Sequence, residues 1–356
     1  MKALFFDKYT TFDNYTFGDL PNPEIHNPTE VLIKVHAASI NPIDYKRANG
    51  LLKMVETIEF PGKLGYDVSG EVVAVGSEVE RFKIGDLVYG RVQSHQVGTL
   101  AEYCVASEFT LSKKLETMSH VEAASYPLVF LTALQALITA GLDAENVANN
   151  KDKKVFITSG LGGVGYHAVL LAKNFFKVTT IATTVSTGKL KRARETFGED
   201  TVLIDYKTQE ITKELHDYDV LFDTVGTDLL SNMHVLKRGS GCVSIASTPT
   251  GTALINAFQS PDASSGLGSW AVKNLVNLVA SPYCLQAWRL GINYEYIFMK
   301  PNGSQLENIL NLLFSEGNMP ANIDKVYGWS EKECKEAYKH LVDGHSSGKV
   351  VIKVRD

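Results

Sequence analysis

The chain has 356 residues, 44% of them hydrophobic and 21% charged, so it is too apolar for disorder and long enough for two domains. Its 35 basic and 40 acidic residues leave a formal charge of -5, which argues against nucleic acid as the main partner. The cysteines, Cys104, Cys242, Cys284 and Cys334, are too scattered for a CxxC pair or a disulfide framework and read as free thiols in a reducing compartment.

The opening MKALFF runs straight into an apolar, strand-like segment, unlike a signal or transit peptide, and a cytoplasmic location is expected. Over the first 120 residues, short β-type runs stand at 31–37 (VLIKVHA), 69–75 (SGEVVAV), 87–92 and 101–105. Glycines recur between them at Gly62, Gly65, Gly70, Gly76, Gly85, Gly90 and Gly98, the pattern of a strongly bent, barrel-type β domain. Residues 123–142 (AASYPLVFLTALQALITAGL) carry no charge and are long enough to span a bilayer. Ser125, Pro127, Thr132, Gln135 and Thr139 dilute the run and no basic cluster flanks it, so it reads as a buried helix between domains.

From about Lys153 the rhythm changes to alternating strands and helices. Strands are expected at 155–158, 178–184, 201–205, 219–223 and 242–247, with helices at 164–176, 190–197 and near 229–236. Such alternation with short connections implies a parallel, doubly wound α/β sheet. Residues 250–292 read as a loop-like insertion over the cleft, helical over 271–279. A sixth strand is expected at 294–300, a helix at 305–314 and a closing strand at 349–354 (KVVIKV).

The strongest local signal is the run Ser159-Gly160-Leu161-Gly162-Gly163-Val164-Gly165, which follows an expected strand and opens an expected helix. Gly160 would permit the tight turn, Gly162 the close approach of a pyrophosphate, and Gly165 close helix–strand packing, with Gly163 and Val164 lining the same turn. An NAD site wants an acidic residue at the end of the second strand, yet none occurs between Lys153 and Arg194. Thr184, Ser186, Thr187 and Lys189 stand there instead, and hydroxyls with a lysine suit a 2′-phosphate. NADPH is the expected cofactor. Tyr206, just after the third strand, is expected to flank the adenosine phosphate.

At this point the chain resembles a zinc-free medium-chain dehydrogenase/reductase of the quinone oxidoreductase and enone reductase branch. The matching stretches are 37–47 (AASINPIDYKR), 65–90, 98–103 (GTLAEY), 122–137, 204–206 (IDY), 222–226 (FDTVG) and 347–354 (SGKVVIKV). The resemblance implies a GroES-like substrate domain over 1–127 and 302–356, and a Rossmann NADP-binding domain over 128–301. It also implies pairing of the Rossmann sheet edge, near 242–247 and 294–300, into a homodimer. Zinc relatives carry Cys and His where this chain has Asn41 and Tyr66, and His95 and Asp67 alone do not make a three-ligand site, so no metal is expected.

Hydride arriving at the β-carbon of an enone, or at a quinone carbon, leaves negative charge on oxygen, and donors aimed at that oxygen are the expected stabilisers. The resemblance places Asn41 and Thr132 beside the nicotinamide and Lys349, in the last matching stretch, on the cofactor. Lys46 adds a nearby cation, and Tyr45 and Tyr66 are candidate proton donors. Asp44 and Asp67 read as structural acceptors. The expected activity is NADPH-dependent reduction of a small quinone or enone. Two alternatives stay open: a 2-enoyl-thioester reductase, although 49–53 (NGLLK) lacks the tyrosine of that group, and a non-catalytic nucleotide-binding adaptor.

Overall fold

Eight strands occupy the first third of the chain: β1 (Lys2–Phe6), β2 (Thr16–Asp19), β3 (Glu30–Ile40), β4 (Gly62–Lys63), β5 (Asp67–Val75), β6 (Leu87–Arg91), β7 (Tyr103–Ser107) and β8 (Leu111–Lys113). Six more follow: β9 (Lys154–Ile157), β10 (Thr180–Val185), β11 (Val202–Asp205), β12 (Tyr218–Asp223), β13 (Leu236–Ser244) and β14 (Asn293–Tyr296). Strands β15 (Ile323–Gly328) and β16 (Lys349–Lys353) close the chain. The computed structural model describes residues 1–53, 56–251, 253–254, 267–344 and 346–355. It divides into two compact units, Met1–Leu131 with Lys300–Asp356, and Thr132–Met299.

In the first unit, β3 organises the larger sheet, whose order is β15-β16-β3-β5-β6-β8. Val31, Ile33 and Val35 alternate onto the core side of β3 and pack with Phe6, Val68, Val72, Leu100 and Ile352. Register shifts at Leu32/Ile33 and Val35/Ala37 bend the strand. One edge of β3 pairs with β5, while the other is shared between β7 over its first half and β16 over its last residues. That sharing sets Val350 opposite Ile40 and so brings Lys349, some 300 residues away in sequence, beside Asn41. A small sheet, β2-β1-β4, lies on the same unit. This is the bent β domain expected from the glycine spacing.

In the second unit the strand order is β11-β10-β9-β12-β13-β14 with every pairing parallel. Renumbered from β9, this is 3-2-1-4-5-6, the Rossmann order, with its switch point between β9 and β12. Apolar β-branched and aromatic runs such as VLF in β12 account for the buried central strands.

Several elements differ from the sequence reading. Strand β13 starts at Leu236 instead of 242, because LKRGSG, poor in β formers, is carried by pairing with β12 through an irregular register. Strand β14 ends at Tyr296, short of 300. The helix expected over 271–279 runs over Leu267–Leu290 and passes through Pro282. Its C-terminal turns continue because Tyr283, Ala287 and Leu290 pack on the core of this unit. Residues 252 and 255–266, within the expected insertion, lie outside the described residues. The uncharged run at 123–142 breaks at Tyr126 into helices at His120–Ser125 and Pro127–Thr139. Among the described residues no helix is long and apolar enough to cross a membrane.

Candidate active site

Asn41 follows β3 and caps helix α1 (Pro42–Ala48), where proline at the first helical position needs no hydrogen-bond acceptor. Its backbone N–H donates to Asp44 Oδ2 at 2.7 Å, and Asp44 Oδ1 accepts from the N–H of Gly65 at 3.0 Å. Burial raises the Asp44 carboxyl to about 7, against the lowering pull of those two backbone donors. Asn41 Nδ2 donates to Asp67 Oδ2 at 2.9 Å, and its Oδ1 accepts from Lys349 Nζ. Asp67 Oδ2 also takes the Ser39 hydroxyl at 2.8 Å, while Oδ1 takes the Leu128 N–H at 2.9 Å. The reading of Asp44 and Asp67 as acceptors matches these contacts. Ser39 belongs to the same cluster and had no distinguishing signal in the sequence.

Lys349, expected on the cofactor, closes this cluster. It is only 4% exposed and lies in the first unit. Its ammonium donates to Ile40 O at 3.2 Å, to Asn41 Oδ1 and to Asp67 Oδ2 at 3.3 Å. An ammonium has three hydrogens, and this arrangement uses all of them inside the protein. Burial lowers its pKa while Asp67 and Asp44 hold it up. Long-range strand pairing, invisible in the local sequence, produces this arrangement.

Tyr66 is buried, its hydroxyl has no partner among the described residues, and its ring lies 4.5 Å from the Arg91 guanidinium. Arg91, at the end of β6 opposite Asp67, was passed over in the sequence. A lone arginine closing the run LVYGR was the signal available. Lys46 is exposed on α1 and makes no ion pair among the described residues. Tyr45 on the same helix is half-buried. Thr132 is buried in the second unit.

The glycine-rich turn joins β9 to helix Gly163–Leu170. Its left-handed residue is Ser159 at φ 54°, so the tight-turn role expected of Gly160 falls one residue earlier. A Cβ on Gly160 would lie 2.4 Å from Thr183 Oγ1, so β10 packs against it directly. A Cβ on Gly165 would lie 2.1 Å from the Ser159 carbonyl, the close packing expected there. The turn is held by Ser159 N–H to Thr184 Oγ1 at 2.8 Å, Gly160 N–H to Thr184 O at 3.1 Å, and Gly162 N–H to Ser159 O at 2.9 Å. Gly162 caps the helix without a side chain, leaving the N–H groups of its first turn, on Gly163, Val164 and Gly165, pointing outward from the helix start.

Beyond β10, Ser186 is half-buried and Thr187 exposed, and the Thr187 hydroxyl serves Asp205, whose carboxyl it helps hold below its ordinary range. Asp205 also accepts the Lys207 N–H at 3.1 Å, so the acid at the end of β11 is engaged. Lys189 is half-buried with no ion pair among the described residues, whereas Lys191 faces Glu195 and Arg194 ties down Gly198, Glu199 and Thr201 carbonyls. Tyr206 is exposed directly after β11.

A Rossmann sheet with an uncapped glycine turn in one unit, and a bent β fold with a buried polar cluster in the other, define a nicotinamide-cofactor oxidoreductase of two domains. Residues 27–116 match the family described as "Alcohol dehydrogenase GroES-like domain", and residues 197–352 that described as "Zinc-binding dehydrogenase". The mitochondrial NAD(P)H oxidoreductase RTN4IP1 of Danio rerio is 30% identical over 100% of this chain and 92% of its own length. The 2-methylene-furan-3-one reductase of Solanum lycopersicum is 31% identical over 99% of this chain and 79% of its own. The structure of the quinone oxidoreductase from Coxiella burnetii superposes with a TM-score of 0.80 at 32% identity, covering 100% of this chain and 99% of that one. The chain therefore belongs to the medium-chain dehydrogenase/reductase family, in its quinone oxidoreductase and enone reductase branch, and is an NAD(P)H-dependent oxidoreductase.

Proposed function

We propose that this protein reduces α,β-unsaturated carbonyls or quinones with NADPH, by hydride transfer without a metal. The observation that carries the cofactor choice is the half-buried Lys189, without an ion pair among the described residues, beyond an acid-free β10, with Asp205 already engaged. When bound, NADPH supplies the hydride; the chain's own residues bind and orient it. The N–H groups of Gly163, Val164 and Gly165 would face the pyrophosphate, with Gly160 and Gly162 shaping the turn. Lys189 and Ser186 would meet the 2′-phosphate, with Thr187 and Tyr206 flanking it. Asn41 keeps one amide hydrogen beyond the one donated to Asp67, and in this reading that hydrogen and the Thr132 hydroxyl serve the nicotinamide or the substrate oxygen. Lys46 and Tyr66 are assigned to the substrate side.

Metal-free chemistry is supported by the donor set. The Asp67 oxygens accept from Ser39, Asn41, Lys349 and Leu128, which leaves them engaged by four donors where a cation would need lone pairs. A homodimer is part of the proposal, because β14 ends the Rossmann sheet with no strand on its outer side among the described residues. A cytoplasmic site is also proposed, on the free thiols of Cys104, Cys242, Cys284 and Cys334. The test is steady-state NADPH oxidation with a panel of enones and quinones. Saturable turnover of at least one class supports the reading, and tight NADPH binding with no turnover of any would overturn it.

A further inference from the structure

Arg91 is the most unusual charge in the first unit. It is 8% exposed, and no hydrogen bond or ion pair reaches its guanidinium among the described residues. A guanidinium carries five N–H donors and stays protonated, so burying it without an acceptor is costly. The carboxylates in its surroundings are occupied. Asp67 accepts from Ser39, Asn41, Lys349 and Leu128, and Asp44 from the N–H groups of Asn41 and Gly65. Glu56 Oε1 accepts from Arg47 Nε at 2.7 Å, and its bare Oε2 is beyond hydrogen-bonding reach of Arg91. Asp67, Asp44 and Glu56 attract the guanidinium through space, and its one direct contact among the described residues is the face of Tyr66 at 4.5 Å. The Tyr66 hydroxyl is itself a buried donor with no acceptor among the described residues. Two adjoining groups, rich in donors and lacking acceptors, are thus held together inside the fold.

We infer that Arg91 and Tyr66 form the seat for the substrate oxygen that gains negative charge during reduction. The inference rests on the reductase reading above. With NADPH bound, hydride from the nicotinamide would reach the substrate β-carbon, the C=C pair would become the Cα=C bond of an enolate, the C=O pair would move onto oxygen, and NADP⁺ would be left. The guanidinium N–H groups and the Tyr66 O–H donate to that enolate oxygen, and a proton from water then adds at the α-carbon as the carbonyl re-forms. A quinone presents the same chemistry through its hydroquinone oxygen. The acceptor missing from the protein is supplied by the ligand.

The test uses the full chain loaded with NADP⁺ and 4-nitrophenol as the probe, since its phenolate imitates an enolate oxygen and changes colour on ionisation. The wild type is expected to bind the phenolate in preference to the phenol. Arg91→Met is expected to lose at least about thirtyfold in phenolate affinity and Tyr66→Phe a smaller factor, while NADPH affinity changes less than about twofold. Arg91→Met should melt within a few degrees of the wild type, because the desolvation relieved offsets the attraction lost to Asp67, Asp44 and Glu56 and no hydrogen bond is broken. Its enone turnover should fall by about 10²–10³, with partial recovery on adding guanidine. Unchanged phenolate binding in Arg91→Met, or a melting temperature well below wild type, would overturn the inference. Phenolate binding through Arg91 in an enzyme that turns over no enone or quinone would support the site and overturn the reductase reading alone.

Discussion

The polar cluster around Asp67 and the glycine turn at 159–165 are both built from small and polar residues, yet they treat hydrogen bonds in opposite ways. Around Asp67, four donors converge on one carboxylate and all three hydrogens of Lys349 find protein acceptors. At the glycine turn, Ser159, Gly160 and Gly162 tie the loop to itself and to β10, and the following helix starts without a side-chain cap. Internally satisfied polar groups position backbone and neighbouring strands; donors left without partners mark where a ligand completes the structure. The same contrast separates Asp67 from its strand neighbour Arg91.

The largest effect should come from breaking the satisfied cluster. Lys349→Met leaves Asp67 buried and short of a counter-charge, and should cost about 3–5 kcal/mol in urea unfolding. Adding Asp67→Asn should recover part of the loss. A loss under about 1 kcal/mol would show that the pair does not hold β16 onto β3.

The glycine turn is tested next. Gly165→Ala places a Cβ 2.1 Å from the Ser159 carbonyl and 3.1 Å from that of Thr158, so the turn must shift. Overpacking of this kind typically costs about 1–3 kcal/mol, and NADPH affinity measured by fluorescence should fall ten- to a hundredfold. Unchanged affinity would mean that the cofactor does not use this turn.

A smaller effect concerns pH. His120, at the first turn of the helix His120–Ser125, stacks on His36 with ring centroids 4.2 Å apart and meets the Ser69 hydroxyl at 2.8 Å. Burial, then the neighbouring His36 and Lys114, lower its pKa to about 4. The unfolded chain therefore takes up the proton first as pH falls below about 6.5, and stability should decline between there and pH 4. The contribution is about 2 kcal/mol after allowing for partial exposure. Unfolding free energies of His120→Gln should fall less steeply over that window than those of wild type; equal slopes would remove this assignment.

The smallest expected change is Lys189→Ala, which should weaken NADPH about tenfold and leave NADH unchanged. Isothermal titration of both cofactors reads it directly. Equal wild-type affinities for the two would contradict the assigned role of Lys189.

The Rossmann half was the more readable of the two units. The run of Ser159 to Gly165 between an apolar strand and a periodic helix is a local signal, and helix Leu190–Phe197 falls where its periodicity places it. Strand β13 was half missed because pairing with β12, and not composition, makes residues 236–241 extended. The polar cluster was readable only in part. Asn41 and Asp67 stand in recognisable stretches, but the placement of Lys349 depends on the register of β16 against β3. Arg91 could not be singled out either, since its lack of a partner is a property of packing and not of spacing.

The central claim, hydride delivery from NADPH to a substrate carbon, is tested most directly by isotope transfer. NADPH carrying deuterium at the transferring C4 position would be oxidised by the protein with but-3-en-2-one, and the product examined by NMR. One deuterium is expected on the former β-carbon for each NADPH consumed. NADPH oxidised with no deuterium on carbon, or bound and never oxidised across enones and quinones alike, would contradict it.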